Sequence, residues 1–295
     1  MEAKNNFGGT ALSEAAEQGR EEVVTALVDA GASRTTENQM RNTPLMLAAR
    51  NGMLGAAAAI VYQRKVQGAE GVEEEPMVDL EQKDTEGYTA LMWAVLSGHI
   101  KVVRLLTSKG ASIEATNNNG VSIIAMAARM GQDAILKALL EGAVLADTPE
   151  EADAKVKRVN RLLATPDKKG NTALMWAVSA ASSASAGAEG AEDPVARANA
   201  CCRIILDGQA KQGGLETIDN QNADGDTALI WAAAGGYTEI ASYLLDKGAT
   251  RTIANAMGFT AAVVAKELGM TACEEICRPQ ETTRRERQFS MSSGE

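Results

Sequence analysis

Thr89-Ala90-Leu91-Met92-Trp93-Ala94-Val95 returns unchanged as Thr172-Ala173-Leu174-Met175-Trp176-Ala177-Val178, and nearly so as Thr227-Ala228-Leu229-Ile230-Trp231-Ala232-Ala233. These boxes place all three tryptophans of the 295-residue chain at one equivalent position. A chain built this way has no single globular core. Each unit is stabilised by stacking on its neighbours, and function lies along the extended face that the stack creates.

Boxes opened by Thr or Ser fall at Thr10, Thr43, Thr89, Ser122, Thr172, Thr227 and Thr260, at intervals of 33, 46, 33, 50, 55 and 33 residues. Three intervals equal 33 and the others equal 33 plus 13, 17 and 22, so one unit of fixed length carries three insertions. Each box follows a stretch rich in Asn, Asp and Gly, such as Asp84-Thr85-Glu86-Gly87, which reads as a turn. The opening hydroxyl can then cap a helix by accepting an unpaired backbone N–H. A short Ala-rich helix follows, ending near Gly19, Gly52, Gly98, Gly131 or Gly235. A second helix shows apolar residues at helical spacing, as in Ile100, Val103, Leu105 and Leu106. It stops at Gly31-Ala32, Gly110-Ala111, Gly142-Ala143 or Gly248-Ala249, where glycine suits a left-handed cap.

The boxes, with Thr43-Pro44-Leu45-Met46-Leu47-Ala48-Ala49 among them, the Gly98-His99 turn and the Gly-Ala stops together resemble the ankyrin repeat. The resemblance implies an all-α ankyrin-repeat solenoid of helix-turn-helix units with short β-turn or hairpin loops. It covers seven units within residues 1–277, near 5–37, 38–70, 84–116, 117–149, 167–218, 222–254 and 255–277, with a disordered tail over 278–295. One departure is consistent: where the family usually has His as fourth residue of the box, this chain has Ser13, Met46, Met92, Ala125, Met175, Ile230 and Ala262. Apolar packing is expected to replace the hydrogen bonding that His supplies.

A net charge of −10 argues against a general nucleic-acid binder, which needs a basic stripe to displace counterions. No apolar run approaches the ~18 residues that span a bilayer, and Met1-Glu2-Ala3-Lys4-Asn5-Asn6 shows no signal core. Four cysteines in so long a chain do not make a disulfide framework, so a reducing, cytoplasmic setting is expected, with the nucleus also open.

The first insertion, Arg64–Gln82, contains Glu70-Gly71-Val72-Glu73-Glu74-Glu75-Pro76 and reads as an acidic, mobile loop after an extended second helix. The second, Leu145–Pro166, carries a helix signal: Thr148 as cap, Pro149 in the first turn, then Val156, Val159, Leu162 and Leu163 as an apolar stripe. The third, Ala180–Ala191, is Ala/Ser/Gly-rich and separates the two helices of the fifth unit, the second restarting at Asp193-Pro194. Gln209–Glu216 adds a polar loop. Such loops cost little extra closure entropy; the sharper alternative is that Thr148–Leu163 or the acidic loop meets a partner. In the tail, Arg285 and Arg287 precede Ser290 as in sites of basophilic kinases, which makes Ser290 a candidate phosphosite.

No residue set suggests catalysis or a cofactor. His99 is the one histidine and fills the Gly-His turn, so no His-based metal cluster can form. Cys273 and Cys277 share a helix face without a second pair at suitable spacing, and Cys201 and Cys202 are adjacent, so all four read as small buried apolar residues. Asn220–Gly225 imitates a calcium loop, yet Trp231 stands where a bidentate Glu should fall. The tryptophans read as packing between successive first helices, because Glu14, Leu47, Met126 and Val264 share their place and only the first repeat, lacking an outer neighbour, has Glu. The alternative is an aromatic ladder that anchors a partner.

In the resembled family, turn tips and the exposed side of the first helix hold partners in a concave groove. That implies Gln39, Met40, Asn42, Arg50 and Asn51 in the second unit, and Thr85, Glu86, Tyr88, Leu96 and Ser97 in the third. It further implies Asn118, Asn119, Val121, Arg129 and Met130, then Lys168, Lys169 and Asn171, then Ala223, Asp224 and Asp226, and finally Phe259. Bases concentrate in the second, fourth and fifth units while the sixth turn is acidic, so the expected partner is a folded protein of mixed charge or an extended peptide with an acidic portion. The expected function is a non-enzymatic adaptor, without metal, cofactor, nucleic acid or membrane insertion, its oligomeric state left open. Alternatives are a regulatory subunit switched at Ser290 and an enzyme inhibitor or accessory subunit.

Overall fold

The computed structural model describes residues 2–62, 65–68, 71–74, 78–144, 149–182, 193–210 and 217–279. Contacts divide it into two compact units, Met1–Thr217 and Ile218–Glu295. The first holds helices α1 (Ala11–Glu17), α2 (Glu21–Asp29), α3 (Pro44–Arg50), α4 (Leu54–Val61), α5 (Ala90–Leu96), α6 (Ile100–Ser108), α7 (Ile123–Arg129), α8 (Asp133–Val144), α9 (Pro149–Ala164), α10 (Ala173–Ser179) and α11 (Pro194–Ala210). The second holds α12 (Ala228–Ala234), α13 (Thr238–Asp246), α14 (Ala261–Glu267) and α15 (Thr271–Cys277).

Within the first unit α1, α3, α5, α7 and α10 pack in one row, and α2, α4, α6, α8 and α11 in a second. In the second unit α12 packs on α14 and α13 on α15 in the same manner. The residue five after each box opening is always alanine, and Ala48, Ala94, Ala127, Ala177, Ala232 and Ala265 are all 0% exposed. A larger side chain there would hold neighbouring helices apart. The seven residues standing in place of the family's His, Ser13 through Ala262, are likewise buried, so packing does fill that position.

Thr10, Thr43, Thr89, Ser122, Thr172 and Thr227 each accept the N–H three residues on, at 3.2–3.4 Å. Thr260 makes no such cap bond, a departure from the expected pattern. In the sixth repeat the left-handed residue between the helices is Gly236, while Gly235 is still right-handed. The expected stop at Gly142-Ala143 is absent: α8 runs on to Val144, because the next element is another helix rather than a repeat turn.

That helix, α9, starts at Pro149 and buries Val159, Leu162 and Leu163 against its neighbours, packing on α7, α8, α10 and α11. Arg158 and Arg161 pair with Glu114 at 2.7 and 3.2 Å. The second insertion is therefore part of the core rather than a surface loop; Thr148 and the Val156 side chain lie outside what is described. The first insertion also differs from its reading. The helix before it stops at Val61, and β1 (Lys65–Gly68) pairs antiparallel with β2 (Gly71–Glu74), Lys65 opposite Glu74 and Gly68 opposite Gly71. Helix α11 restarts at Pro194 as expected, with Asp193 accepting the Val195 N–H, and continues to Ala210. Most of the third insertion, residues 211–216, and the tail with Ser290 lie outside the described residues.

Candidate partner-binding site

Five residues before every box stands Asn or Asp: Asn5, Asn38, Asp84, Asn117, Asp167, Asn222 and Asn255. One side-chain oxygen of each accepts the backbone N–H groups two and four residues on. Asp84 takes those of Glu86 and Tyr88 at 2.9 and 2.8 Å, and Asp167 those of Lys169 and Asn171, both at 2.9 Å. The five Asn residues do the same. Turns shaped this way are joined in a ladder. Gln39 donates its N–H to Phe7 O, Thr85 to Met40 O, Asn118 to Glu86 O and Lys168 to Asn119 O, and in the second unit Ala256 to Asp224 O, all at 2.9–3.1 Å.

Beside this ladder the tryptophans are half-buried, whereas Leu47 and Met126 at the equivalent place are buried. The expectation of pure packing thus holds for Leu and Met and fails for Trp. Each indole N–H needs an acceptor and finds a carboxylate at the turn. Trp93 donates to Asp84 Oδ2 at 2.9 Å, Trp176 to Asp167 Oδ2 at 3.2 Å, and Trp231 to Asp226 Oδ2 at 3.3 Å. The sixth turn is headed by Asn222, so its indole turns to a different carboxylate.

Two of these rings carry a guanidinium from the preceding repeat. Arg50, last residue of α3, lies 5.5 Å from the Trp93 centroid, and Arg129, last residue of α7, lies 4.8 Å from that of Trp176. Arg50 also pairs with Glu17 at 3.2 Å, and the Tyr88 ring sits 5.0 Å from Trp93. His99 Nε2 lies 3.0 Å from the Arg50 carbonyl, which can only accept, so the proton sits on Nε2. His99 therefore holds the end of α3 from the next repeat as well as filling the Gly-His turn.

Of the residues expected to touch a partner, Met40, Glu86, Asn118, Asn119, Arg129, Lys168, Lys169 and Asp224 are exposed. Arg50, Tyr88 and Asp226 are half-buried at the indoles. Asn42, Val121 and Asn171 are buried, at 5, 9 and 5% exposure, and offer no surface. Their N–H groups close the turn on its head residue, which faces the side chain inward. The Trp–Arg stacking was missed in the sequence, although Arg recurring at the end of α3 and α7 was a signal.

Among the described residues no group of His, Cys, Asp and Glu could hold a metal ion, and no helix is long and apolar enough to cross a membrane. Burial pushes all four thiols up, Cys201 to about 12 and Cys277 to about 11, which suits inert packing residues.

Stacked helical hairpins joined by a turn ladder, with aromatic and cationic side chains beside it, define a repeat protein of the interaction-module class. The family described as ankyrin repeats (3 copies) matches residues 1–70, 72–149 and 195–283. The chain belongs to the ankyrin-repeat family, whose repeats are protein–protein interaction modules. It is 30% identical to NF-kappa-B inhibitor alpha of Sus scrofa over 112 residues, 38% of this chain and 33% of that protein. It is 30% identical to ankyrin repeat and KH domain-containing protein mask-1 of Caenorhabditis elegans over 217 residues, 72% of this chain and 7% of that one. The chain thus spans a third or less of these relatives' length. Two crystal structures share the fold: the ankyrin repeat domain of Bcl-3, an IkappaB family member (TM-score 0.63, 21% identity, 93% of this chain and 100% of that one), and that of human ASB11 (TM-score 0.63, 22% identity, 92% and 99%).

Proposed function

We propose that this chain is a non-enzymatic adaptor that holds another protein along the concave side formed by its turns and first helices. The observation that carries the reading is the pair of half-buried indoles, Trp93 and Trp176, each fixed by a turn aspartate and covered by an arginine. Trp and Arg immobilised before contact bury large area at small entropy cost, which is the character of interface hot spots. Met40, Glu86, Asn118, Asn119, Lys168 and Lys169 on the turn tips form its rim, and Asp224 with Asp226 offer an acidic surface in the second unit. The cytoplasm or nucleus is the setting this reading implies.

Affinity capture of the full chain from its source cells, read by mass spectrometry, tests it. A partner should be lost with Trp93→Ala plus Trp176→Ala but kept with Lys101→Ala on the exposed side of α6. Retention of every partner by the double variant would sink the reading. A regulated version, in which Ser290 of the Arg285–Ser290 sequence is phosphorylated to alter access, predicts that the same capture differs between wild type and Ser290→Glu. Similarity to a protein named as an inhibitor supports a further version, in which the bound partner is an enzyme or factor held inactive.

A further inference from the structure

The last residues of the first helices form a row across the first unit: Glu17, Arg50, Leu96, Arg129 and Ser179. The two arginines in it occupy equivalent stations over an indole, yet their electrostatic states differ. Arg50 is neutralised by Glu17 at 3.2 Å. Arg129 is exposed, and among the described residues no carboxylate pairs with it and no acceptor takes its N–H groups. The turn that holds Trp176 adds two further exposed cations, Lys168 and Lys169.

A guanidinium laid on an aromatic ring keeps its N–H edge available while losing much of its rotamer freedom, and that edge matches a carboxylate bidentately. Resting on the adaptor reading, we propose that Arg129 over Trp176 is the anchor for an Asp or Glu side chain in an extended segment of the partner. An apolar residue of the same segment meets the pre-neutralised station at Arg50, Tyr88 and Trp93. Charge selects between the stations: a carboxylate at Arg50 would face Glu17, which already pairs with that arginine, whereas among the described residues none pairs with Arg129, and the nearby Asp167 is engaged by the Trp176 N–H at 3.2 Å. The stations lie two repeats apart, roughly 16–20 Å at ordinary helix spacing. An extended chain rising about 3.3 Å per residue covers that distance in about five or six residues. The partner motif is therefore an acidic residue and a large apolar residue separated by that interval.

Panning a phage-displayed library of random dodecapeptides on the full chain tests this. Enriched sequences should carry Asp or Glu about five or six positions from a large apolar residue. For the best synthetic peptide, Arg129→Gln should weaken binding at least about tenfold without changing the melting temperature. Exchanging the peptide's acid for its amide should weaken binding to wild type equally and have little further effect on the Arg129→Gln protein, the coupling expected of a direct contact. Arg50→Gln should leave the acidic preference intact. The proposal is overturned if no peptide is enriched, if the enriched ones lack an acid, or if the two changes add independently. Such a result leaves the adaptor reading standing, because that is judged by a captured protein that needs Trp93 and Trp176.

Discussion

Gly87 stands at φ +82° in the third turn, and a β-carbon there would come within 2.6 Å of the Asn118 backbone nitrogen. Gly31 is equally left-handed at φ +86° but has nothing within 4 Å. Alanine at Gly31 should therefore cost only the ~1–2 kcal/mol of the left-handed backbone, while Gly87→Ala should cost more because it also forces the turn ladder apart. Urea unfolding of the two variants checks the order, and equal midpoints would refute it. Arg41 is the non-glycine at the equivalent place, at φ +61°. The turn head gives a second test at Asp84. An Asn there keeps an oxygen for the Glu86 and Tyr88 N–H groups but sets an NH2 against the Trp93 N–H, two donors facing each other. Asp84→Asn should preserve the fold, cost about 1–3 kcal/mol and shift Trp93 fluorescence, whereas Asn117→Asp should leave the indoles unmoved. Much of this site was legible, since Asx recurs five residues before each box and Trp four after its opening. The arginines were named as surface residues, but their stacking was not readable. Arg50 and Trp93 are joined across a repeat and an insertion, and only the stack decides where a helix-terminal side chain turns.

At the scale of elements, the first two insertions are of similar length but differ in charge and in what they contribute: Arg64–Gln82 is acidic, while Leu145–Pro166 balances its acids with as many bases. In α9 the Val159, Leu162 and Leu163 spacing marks one helix face, and the structure buries it, Leu163 at 0% exposure. Periodicity could announce that face but not the four helices that cover it, because the pattern of one helix carries no address. Leu163→Ala should cost about 2–5 kcal/mol, as in any closed core, and calorimetry should show the lowered transition in the first unit. The β1–β2 hairpin makes the opposite forecast. Its ends, Lys65 and Glu74, are paired across the strands, so Gly-Gly can replace residues 65–74 without straining the chain on either side. That deletion should leave the melting temperature nearly unchanged; a large drop would show that the hairpin supports the stack. Here composition misled, since acidic side chains suggested a loop where Lys65–Gly68 and Gly71–Glu74 pair as strands.

Across the whole molecule, the four thiols report on each compact unit separately, Cys201 and Cys202 on α11 and Cys273 and Cys277 on α15. All are buried, and burial, which disfavours the thiolate, raises each above its ordinary 9.0. The unfolded chain therefore loses these protons near pH 9 while the folded chain keeps them to about 12 at Cys201 and about 11 at Cys277. Between those limits the folded state binds more protons, so stability is fully present below pH 9 and declines as pH rises through 9 toward 11 and 12. Urea midpoints should be flat from neutral pH to about 8.5 and then fall, and Cys→Ala at all four positions should flatten the onset even if it lowers every midpoint. At pH 8 the same burial makes iodoacetamide labelling of the native chain slow, with each pair reacting only when its own unit opens. Peptide mapping across a urea series then yields two labelling curves, one per unit. Rapid labelling of either pair in buffer would mean that unit opens far more readily than a closed helical stack should.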